Sequence, residues 1–511
     1  MNYSIIRNIL GKLLILVAIL LCFPLIVSLI YQEGIRNYLA FIIPIIILCL
    51  LGFLMNIKKA KNPKMMARDG VIIVGLSWLL MSLAGCVPFM ISKEIPNFFD
   101  AFFEMASGFT TTGATIVDDV SKLSHSILFW RSLSHWIGGM GVLVLILAII
   151  PESKEGSALH ILRAESPGPQ VGRLVSKMQV TSRILYLIYI TITLVLFLLL
   201  WIGPDKQMDL FNSLIYSFGT AGTGGFAAHP QCLEYFSNYS QYVIAIFMMI
   251  FGINFSLFYL ILIGKAREIL KNDEFKAYIG IVVVSTIVIC VNIYSIYQNV
   301  EQSFRLALFQ VTSIMSTTGY STANFDMWPA LSKGILVLLM FVGGCAGSTA
   351  GGMKVTRIVT YMKSMVRNIR NMIHPRKVET IYLDGKPLSD EAINNVSGYF
   401  IVYAFIFIVC TLLISVDGHD LLTNITASLS CISNVGPGLG LVGPYGSFAV
   451  YSNFSKLILT LEMIIGRLEF YPILLLFSPR TWKKSLWYYL SLIFYGKTFS
   501  YIKHFHCFLF L

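Results

Sequence analysis

Ten apolar runs, each long enough to cross a bilayer as a helix, leave this chain few folds to choose from. About 18 to 22 residues are needed to traverse ~30 Å of hydrocarbon. Runs of that order are marked at Leu13 to Tyr31, Tyr38 to Met55, Val71 to Ile91, Leu128 to Ile150, Ile184 to Ile202, Tyr242 to Ile263, Tyr278 to Tyr297, Ile335 to Met353, Tyr399 to Val416 and Leu457 to Phe477. With 56% hydrophobic and 13% charged residues and a mean hydropathy of +0.75, the chain lacks the polar surface of a water-soluble protein. The first run is too long, and too closely followed by another, for a cleaved signal peptide, and no small-residue cleavage site follows it. The expected class is an all-α integral membrane protein.

Charge sets the expected orientation. With the amino terminus in the cytoplasm, 29 of the 38 Lys and Arg fall on the inner side, 8 on the outer side and one, Arg467, at membrane depth. The outer loops then hold 13 acids and the inner ones 11, with Glu462 and Glu469 inside the last run. The net charge of +12 therefore belongs to the cytoplasmic face and not to a nucleic-acid surface. An outer mouth of roughly minus five concentrates cations, an effect that salt weakens. Eight of the nine cysteines (Cys22, Cys49, Cys86, Cys290, Cys345, Cys410, Cys431 and Cys507) lie in or beside apolar runs, and Cys232 falls in an outer loop. No CxxC or Cys/His spacing points to zinc, so they read as small buried hydrophobes.

Internal repetition is more specific. Four segments share the order apolar run, short amphipathic run, Gly-bearing polar stretch, apolar run. The polar stretches are SGFTTTGAT, GTAGTGGFA, SIMSTTGYS and SCISNVGPG, and without gaps Gly113, Gly225, Gly319 and Gly436 align. The intervals of 112, 94 and 117 residues suit a unit of two spans and a re-entrant loop, not a solenoid. Asp100, Asp209, Glu301 and Asp420 lie 13 to 18 residues ahead of the glycines, where an acid favours a helix amino terminus. A helix of about 10 to 12 residues cannot cross the bilayer, so it should enter from outside, stop near mid-depth and return as extended chain. Extended backbone at that depth is tolerated only inside protein or along a watery path. A ring of such carbonyls, backed by the negative ends of four helices, suits a partly dehydrated monovalent cation. Any one stretch alone could be an outer turn; four in register between paired runs argue against it.

These residues resemble a known family. TTTGAT, STTGYS and NVGPG, with HWIGGMG (His135 to Gly141), GGCAGSTAGG (Gly343 to Gly352) and IIGRLEFYPILLLFSP (Ile464 to Pro479), are similar to TrkH, the membrane-subunit family of bacterial Trk potassium uptake systems, in the superfamily that also holds KtrB and the plant HKT transporters. The match runs from the first apolar run to about Pro479, and two runs ahead of the first repeat resemble TrkH more than KtrB. The resemblance implies four non-identical span–pore loop–span repeats around one pseudo-fourfold pore, preceded by two N-terminal spans. The expected boundaries are 1–68 for those two spans, 69–178, 179–274, 275–375 and 376–480 for the repeats, and 481–511 for a tail.

Several site assignments follow from that resemblance. A potassium-binding filter is carried by Thr111, Thr112 and Gly113; Thr223, Gly224 and Gly225; Thr317, Thr318 and Gly319; and Asn434, Val435 and Gly436. The second wall reads TGG and the fourth follows its glycine with Pro437, so the walls are not chemically equivalent. The resemblance also implies a homodimer in the bacterial inner membrane, gated by a cytosolic TrkA-type ring whose RCK domains bind nucleotide. No cofactor is expected on this chain; potassium is the substrate.

The break GGCAGSTAGG places Gly343, Gly344, Gly347, Gly351 and Gly352 with Ala346, Ser348 and Thr349 inside a span, and each glycine weakens a helix by about 1 kcal/mol. It reads either as tight small-residue packing or as an intramembrane gating loop, as the resemblance implies. Lys354 leads on to Arg357, Lys363, Arg367, Arg370, Arg376 and Lys377, a lever for that gate or a solvated loop on anionic lipid. Arg467 is either a positive barrier below the filter, as in the family, or half of a structural ion pair. Glu462 and Glu469 are wrongly spaced to pair with it along one helix. Arg131 and His135 are expected to snorkel to the outer surface, and the aromatic tail to lie at the interface.

No enzyme signature is present: Walker A is absent, and no GxGxxG follows a strand pattern. Nor is there the Arg-every-third-residue helix of a voltage sensor. The expected function is potassium uptake through a carbonyl-lined filter. A proton- or sodium-coupled symporter is the alternative, with Glu462, Arg467 and Glu469 as its only deep ionisable groups.

Overall fold

A computed structural model of the chain describes residues 1–58, 66–141, 178–376 and 379–482. Two helices, α1 (Tyr3–Ile30) and α2 (Ile35–Asn56), form an antiparallel hairpin ahead of everything else. They meet through small residues: a Cβ on Gly52 would lie 2.7 Å from the carbonyl of Gly11.

Four units of one plan follow. The first holds α3 (Ala67–Gly85) with its continuation α4 (Val87–Ser92), then α5 (Phe98–Phe109) and α6 (His125–Gly139). The second holds α7 (Met178–Ile202), α8 (Leu210–Gly222), α9 (Asn238–Phe251) and α10 (Phe255–Leu262). In the third are α11 (Asp273–Tyr297), α12 (Val300–Met315), α13 (Ala330–Val342) and α14 (Val355–Ile373). The fourth comprises α15 (Asp390–Ile414), α16 (Leu421–Ser433), α17 (Asn453–Arg467) and α18 (Tyr471–Phe477).

Length divides these helices sharply. Among the described residues, the first helix of each unit (α3 with α4 in the first), together with α1 and α2, makes the six helices that are long and apolar enough to cross a membrane, at 22 to 28 residues. The helix that follows the short helix of each unit (α5, α8, α12 and α16) is not: α6, α9, α13 and α17 run for 15, 14, 13 and 15 residues. At 1.5 Å per residue these reach about 20–23 Å, short of the ~30 Å core.

The expectation of an uninterrupted span is therefore corrected at α6, α9 and α17, while the eighth run breaks within GGCAGSTAGG as the sequence indicated. Helix α9 turns by 92° into α10 across Gly252, Ile253 and Asn254. Helix α13 ends at Gly343, with φ +70°, and the chain is irregular until Val355. Helix α17 ends at Arg467, and Glu469 and Phe470 take φ of +53° and +70° before α18. Helix α6 stops at Gly139, and the remainder of that apolar run, from residue 142, lies outside the described residues, as do Lys377, Cys507 and the tail from residue 483. The physical reason is close backbone approach. A Cβ on Gly138 would lie 1.9 Å from the carbonyl of Phe109, and one on Gly466 would lie 2.1 Å from that of Ile432. Helices α6 and α17 thus meet the ends of α5 and α16 at backbone distance where they stop.

Each short helix starts as its sequence dictates. Asp209 and Asp420 are N-caps that accept from the N–H groups of Asn212 and Thr423, while Asn97 and Asn299 cap the helices carrying Asp100 and Glu301 in their first turns. The Thr423 hydroxyl and N–H hold the Asp420 carboxyl below its ordinary pKa. The face at which these helices begin is called upper here. On the lower face a two-stranded hairpin, β1 (Tyr382–Leu383) and β2 (Lys386–Pro387), presents Asp384 to the start of α11. The cysteines diverge from expectation: Cys86, Cys232, Cys345 and Cys431 are buried, but Cys22 and Cys49 lie on exposed helix surface.

Candidate ion pathway

All four short helices end with the same backbone device. The N–H groups of Thr112, Gly224, Thr318 and Val435 return to the carbonyls of Ser107, Gly219, Ser313 and Ser430, five residues back, at 2.9, 2.8, 2.8 and 2.9 Å. This is the long bond of a Schellman cap, which requires a left-handed residue just before it. Those residues are Thr111, Thr223, Thr317 and Asn434, with φ of +56°, +53°, +57° and +56°. Threonine is costly there, and three threonines at corresponding positions, with an asparagine at the fourth, mark strain held by its surroundings. Two residues on, Gly113, Gly225, Gly319 and Gly436 are left-handed again, at +79°, +80°, +83° and +106°.

The four segments converge. A Cβ placed on Gly113 would meet the carbonyl oxygen of Gly224 at 2.0 Å, one on Gly225 that of Thr318 at 1.9 Å, one on Gly319 that of Val435 at 2.1 Å and one on Gly436 that of Thr112 at 2.8 Å. Each unit thus abuts the next, and the fourth abuts the first: a closed circuit of extended backbone, with the middle carbonyl of each wall against its neighbour's glycine. The looser fourth junction belongs to the wall whose glycine precedes Pro437. Asn434 Nδ2 closes the same seam by donating to Thr112 Oγ1 at 2.9 Å. Above the ring a cavity is lined by Gly113, Gly225, Gly319, Gly436, Asp118 and Tyr445, among others. His229 also lines it, and burial lowers its pKa below the ordinary histidine value.

Behind the first two walls lies a buried ionic network. Arg131 and Glu104 pair at 2.7 Å with both side chains essentially inaccessible. Glu104 accepts from Thr115 Oγ1 at 2.9 Å and from the Ile116 N–H at 2.9 Å, so it holds the strand leaving the first wall. The Arg131 guanidinium sits 4.1 Å from the centre of the Phe226 ring, next to the second wall. His135 is also fully buried. The snorkelling expected of both residues is thus corrected: a carboxylate on the short helix α5 and a carbonyl at its end supply inside what the surface would have offered. Glu104, an acid in the middle of a short helix whose other acid, Asp100, lies in the first turn, was the signal in the sequence that pointed to a buried partner. Glu104→Gln strips the counter-charge from Arg131 and should cost about 3–5 kcal/mol, with Glu104→Gln/Arg131→Met recovering most of it. Thermal unfolding in detergent reads this directly, and an unchanged midpoint in the single variant would mean that the pair contributes nothing net.

Below the ring the segment from Gly343 to Lys354 is bonded, directly or through Arg467, to all four units. Gly351 N–H donates to Thr317 Oγ1 at 2.6 Å and Gly352 N–H to the Ser433 carbonyl at 2.8 Å, reaching the third and fourth units. Cys345 N–H donates to the Gly252 carbonyl at 2.9 Å and the Gly347 carbonyl accepts from Phe255 N–H at 3.0 Å, reaching the second. Arg467 joins it to the first: Nη1 donates to the Thr349 carbonyl at 2.8 Å, and Nη2 to those of Gly138 and Gly139, each at 2.7 Å. Glu469 instead pairs with Arg357, whose guanidinium lies 4.0 Å from the centre of the Tyr399 ring. Glu274, at the start of α11, accepts from Ala346 N–H at 2.7 Å and Thr356 N–H at 3.0 Å, tying the segment to the base of α14. Of the three ionisable groups that the sequence placed deep, to which the structure adds Glu104, Arg131 and His135, Glu462 takes the Ser428 hydroxyl at 2.6 Å behind the fourth short helix.

Helices that surround one closed ring of extended backbone, with an irregular segment directly beneath it, define a multi-pass membrane transport protein and not an enzyme. The TrkH family, described as a cation transport protein, matches residues 36–487. The Trk system potassium uptake protein TrkH of Escherichia coli K12 is 35% identical over 494 residues, covering 95% of this chain and all of that one. TrkG of the same organism is 31% identical over 491 residues, covering 94% of this chain and 99% of its own. The crystal structure of the potassium transporter TrkH from Vibrio parahaemolyticus superimposes with a TM-score of 0.84 at 32% identity, over 94% of this chain and all of that one. The chain belongs to the TrkH family of cation transport proteins.

Proposed function

We propose that this protein takes up potassium across the bacterial inner membrane, with its amino terminus in the cytoplasm and the upper face outside. The observation that carries the reading is the closed circuit of four walls, whose central carbonyls can replace the water shed by a monovalent cation. Thr111, Thr112, Gly113, Thr223, Gly224, Gly225, Thr317, Thr318, Gly319, Asn434, Val435 and Gly436 form the filter in this reading. The repeats that supply them run over 69–178, 179–274, 275–375 and 376–480. The short helices direct their negative ends toward the axis, adding to the attraction for cations. The segment from Gly343 to Gly352 is the gate, and Arg467 its latch and positive barrier. Its bonds to the Ser433 carbonyl and Thr317 hydroxyl support this reading, because they cross the path immediately below the ring.

The reading extends to the assembly that the family resemblance implies: a homodimer opened by a cytosolic nucleotide-binding subunit acting through α14. The salt bridges Lys363–Asp273 and Arg367–Asp390 join α14 to the starts of α11 and α15, a route by which such a partner could move the gate. Passive conduction is favoured over proton or sodium coupling because Glu462 faces the back of a short helix and Glu469 is paired with Arg357. Purified protein in liposomes, opened by its partner, should pass rubidium down its own gradient without any proton or sodium gradient. Rubidium entry that appears only when one of those gradients is imposed would establish the symporter instead.

A further inference from the structure

The second wall reads TGG where the first and third read TTG, and the structure supplies a reason. A Cβ on Gly224 would lie 2.1 Å from Cγ and 2.2 Å from Nδ1 of the His135 ring. The imidazole, delivered from the neighbouring unit by α6, fills the space that a side chain at the middle of this wall would take. It is also bonded at both nitrogens. Nδ1 lies 2.8 Å from the carbonyl of Gly108, and Nε2 lies 3.3 Å from the N–H of Phe226. A carbonyl can only accept and an amide can only donate, so the partners assign the neutral tautomer with its proton on Nδ1. Phe226 is the residue immediately after the wall's glycine, and its ring packs 4.2 Å from that of His135. His135 thus grips the second wall at its middle residue and at its exit, and anchors both to the end of the first unit's short helix.

We infer that His135 is a positioning residue of the filter, and that its interlock with Gly224 sets the discrimination between potassium and smaller cations. The inference rests on the filter reading above. Carbonyls replace a hydration shell only at the distance one ion requires, and a wall free to move inward accommodates a smaller ion as well. The second wall shares both of its junctions with neighbours: a Cβ on Gly113 would stand 2.0 Å from the Gly224 carbonyl, and one on Gly225 would stand 1.9 Å from that of Thr318. Displacing this wall therefore disturbs two of the four junctions.

The test uses the full chain in liposomes, with rubidium and sodium flux measured for His135→Ala, Gly224→Ala and the double variant. In His135→Ala the rubidium-to-sodium flux ratio should fall about fivefold, the factor carried by one net hydrogen bond. Gly224→Ala should lower rubidium flux at least about tenfold through collision with the ring, and adding His135→Ala should restore most of it. A mere packing role would lower the amount of folded protein and leave the ratio untouched. If Gly224→Ala does not accumulate folded, recovery of folded protein in the double variant reads the same interlock. An unchanged ratio in His135→Ala, or a double variant no better than Gly224→Ala, overturns the proposal. Gly319→Ser separates this failure from that of the filter reading, because Gly319 lies in a wall that His135 does not touch. Normal flux and ratio there reject the filter itself; altered transport there, with His135 inert, rejects only its positioning role.

Discussion

Gly319→Ser should reduce rubidium uptake at least about a hundredfold, which corresponds to roughly 2.7 kcal/mol at the conducting ring. Two costs combine. At φ +83° any side chain carries a left-handed penalty of about 1–2 kcal/mol. The new Cβ would also stand 2.1 Å from the Val435 carbonyl and 2.8 Å from Cδ of Pro437. Both neighbours are held: Val435 N–H is bonded to the Ser430 carbonyl, and a proline ring cannot turn away. The junction opens or the ring deforms, and either misplaces a carbonyl. Flux into liposomes relative to the amount of folded protein is the measurement. Wild-type flux would remove Gly319, and with it the filter assignment, from the pathway.

Arg467→Ala should have the opposite sign, raising rubidium flux in the absence of any cytosolic partner about tenfold or more. Three bonds from one cation to the carbonyls of Thr349, Gly138 and Gly139 tie the segment beneath the ring, the gate in the proposed reading, to the end of α6. Bonds to a charged group contribute about 1.5–3 kcal/mol each. Loss of ~1.4 kcal/mol from the closed state is enough for a tenfold shift in the open fraction. The same substitution removes a positive charge from beneath the ring, which also favours cation passage. Arg467→Lys keeps the charge but cannot span carbonyls on two units, so it should fall between Ala and wild type. Deleting Ala346 to Gly351 should go further and leave the pathway open. A variant with Arg467→Ala that stays folded and closed would assign the latch elsewhere, with Glu274 the next residue to test.

The sequence made much of this legible because its signals are one-dimensional. Apolar length marked the six full spans, and the in-register glycines marked four units and the short helices between their long ones. Asp209 and Asp420 stood where an N-cap belongs. Other features were hidden for identifiable reasons. Helices α6, α9 and α17 carry apolar runs that continue past their breaks, so hydropathy counts each as one span, whereas the glycines from Gly343 to Gly352 announce the break after α13. Only the backbone contacts of Gly138 and Gly466 expose the stop. Arg131 and His135 looked like boundary residues because the partners that satisfy them, Glu104, Gly108 and Phe226, are 27 to 91 positions away.

The sequence by itself determined the class, the fourfold repetition and the residues at each turn, since period, propensity and charge act locally along the chain. Tertiary structure alone decided which carbonyl faces which glycine, why the second wall carries no side chain at its middle, and that Arg467 joins the carbonyls of Thr349, Gly138 and Gly139. Those are contacts between segments far apart in the chain, fixed by packing that no local pattern records.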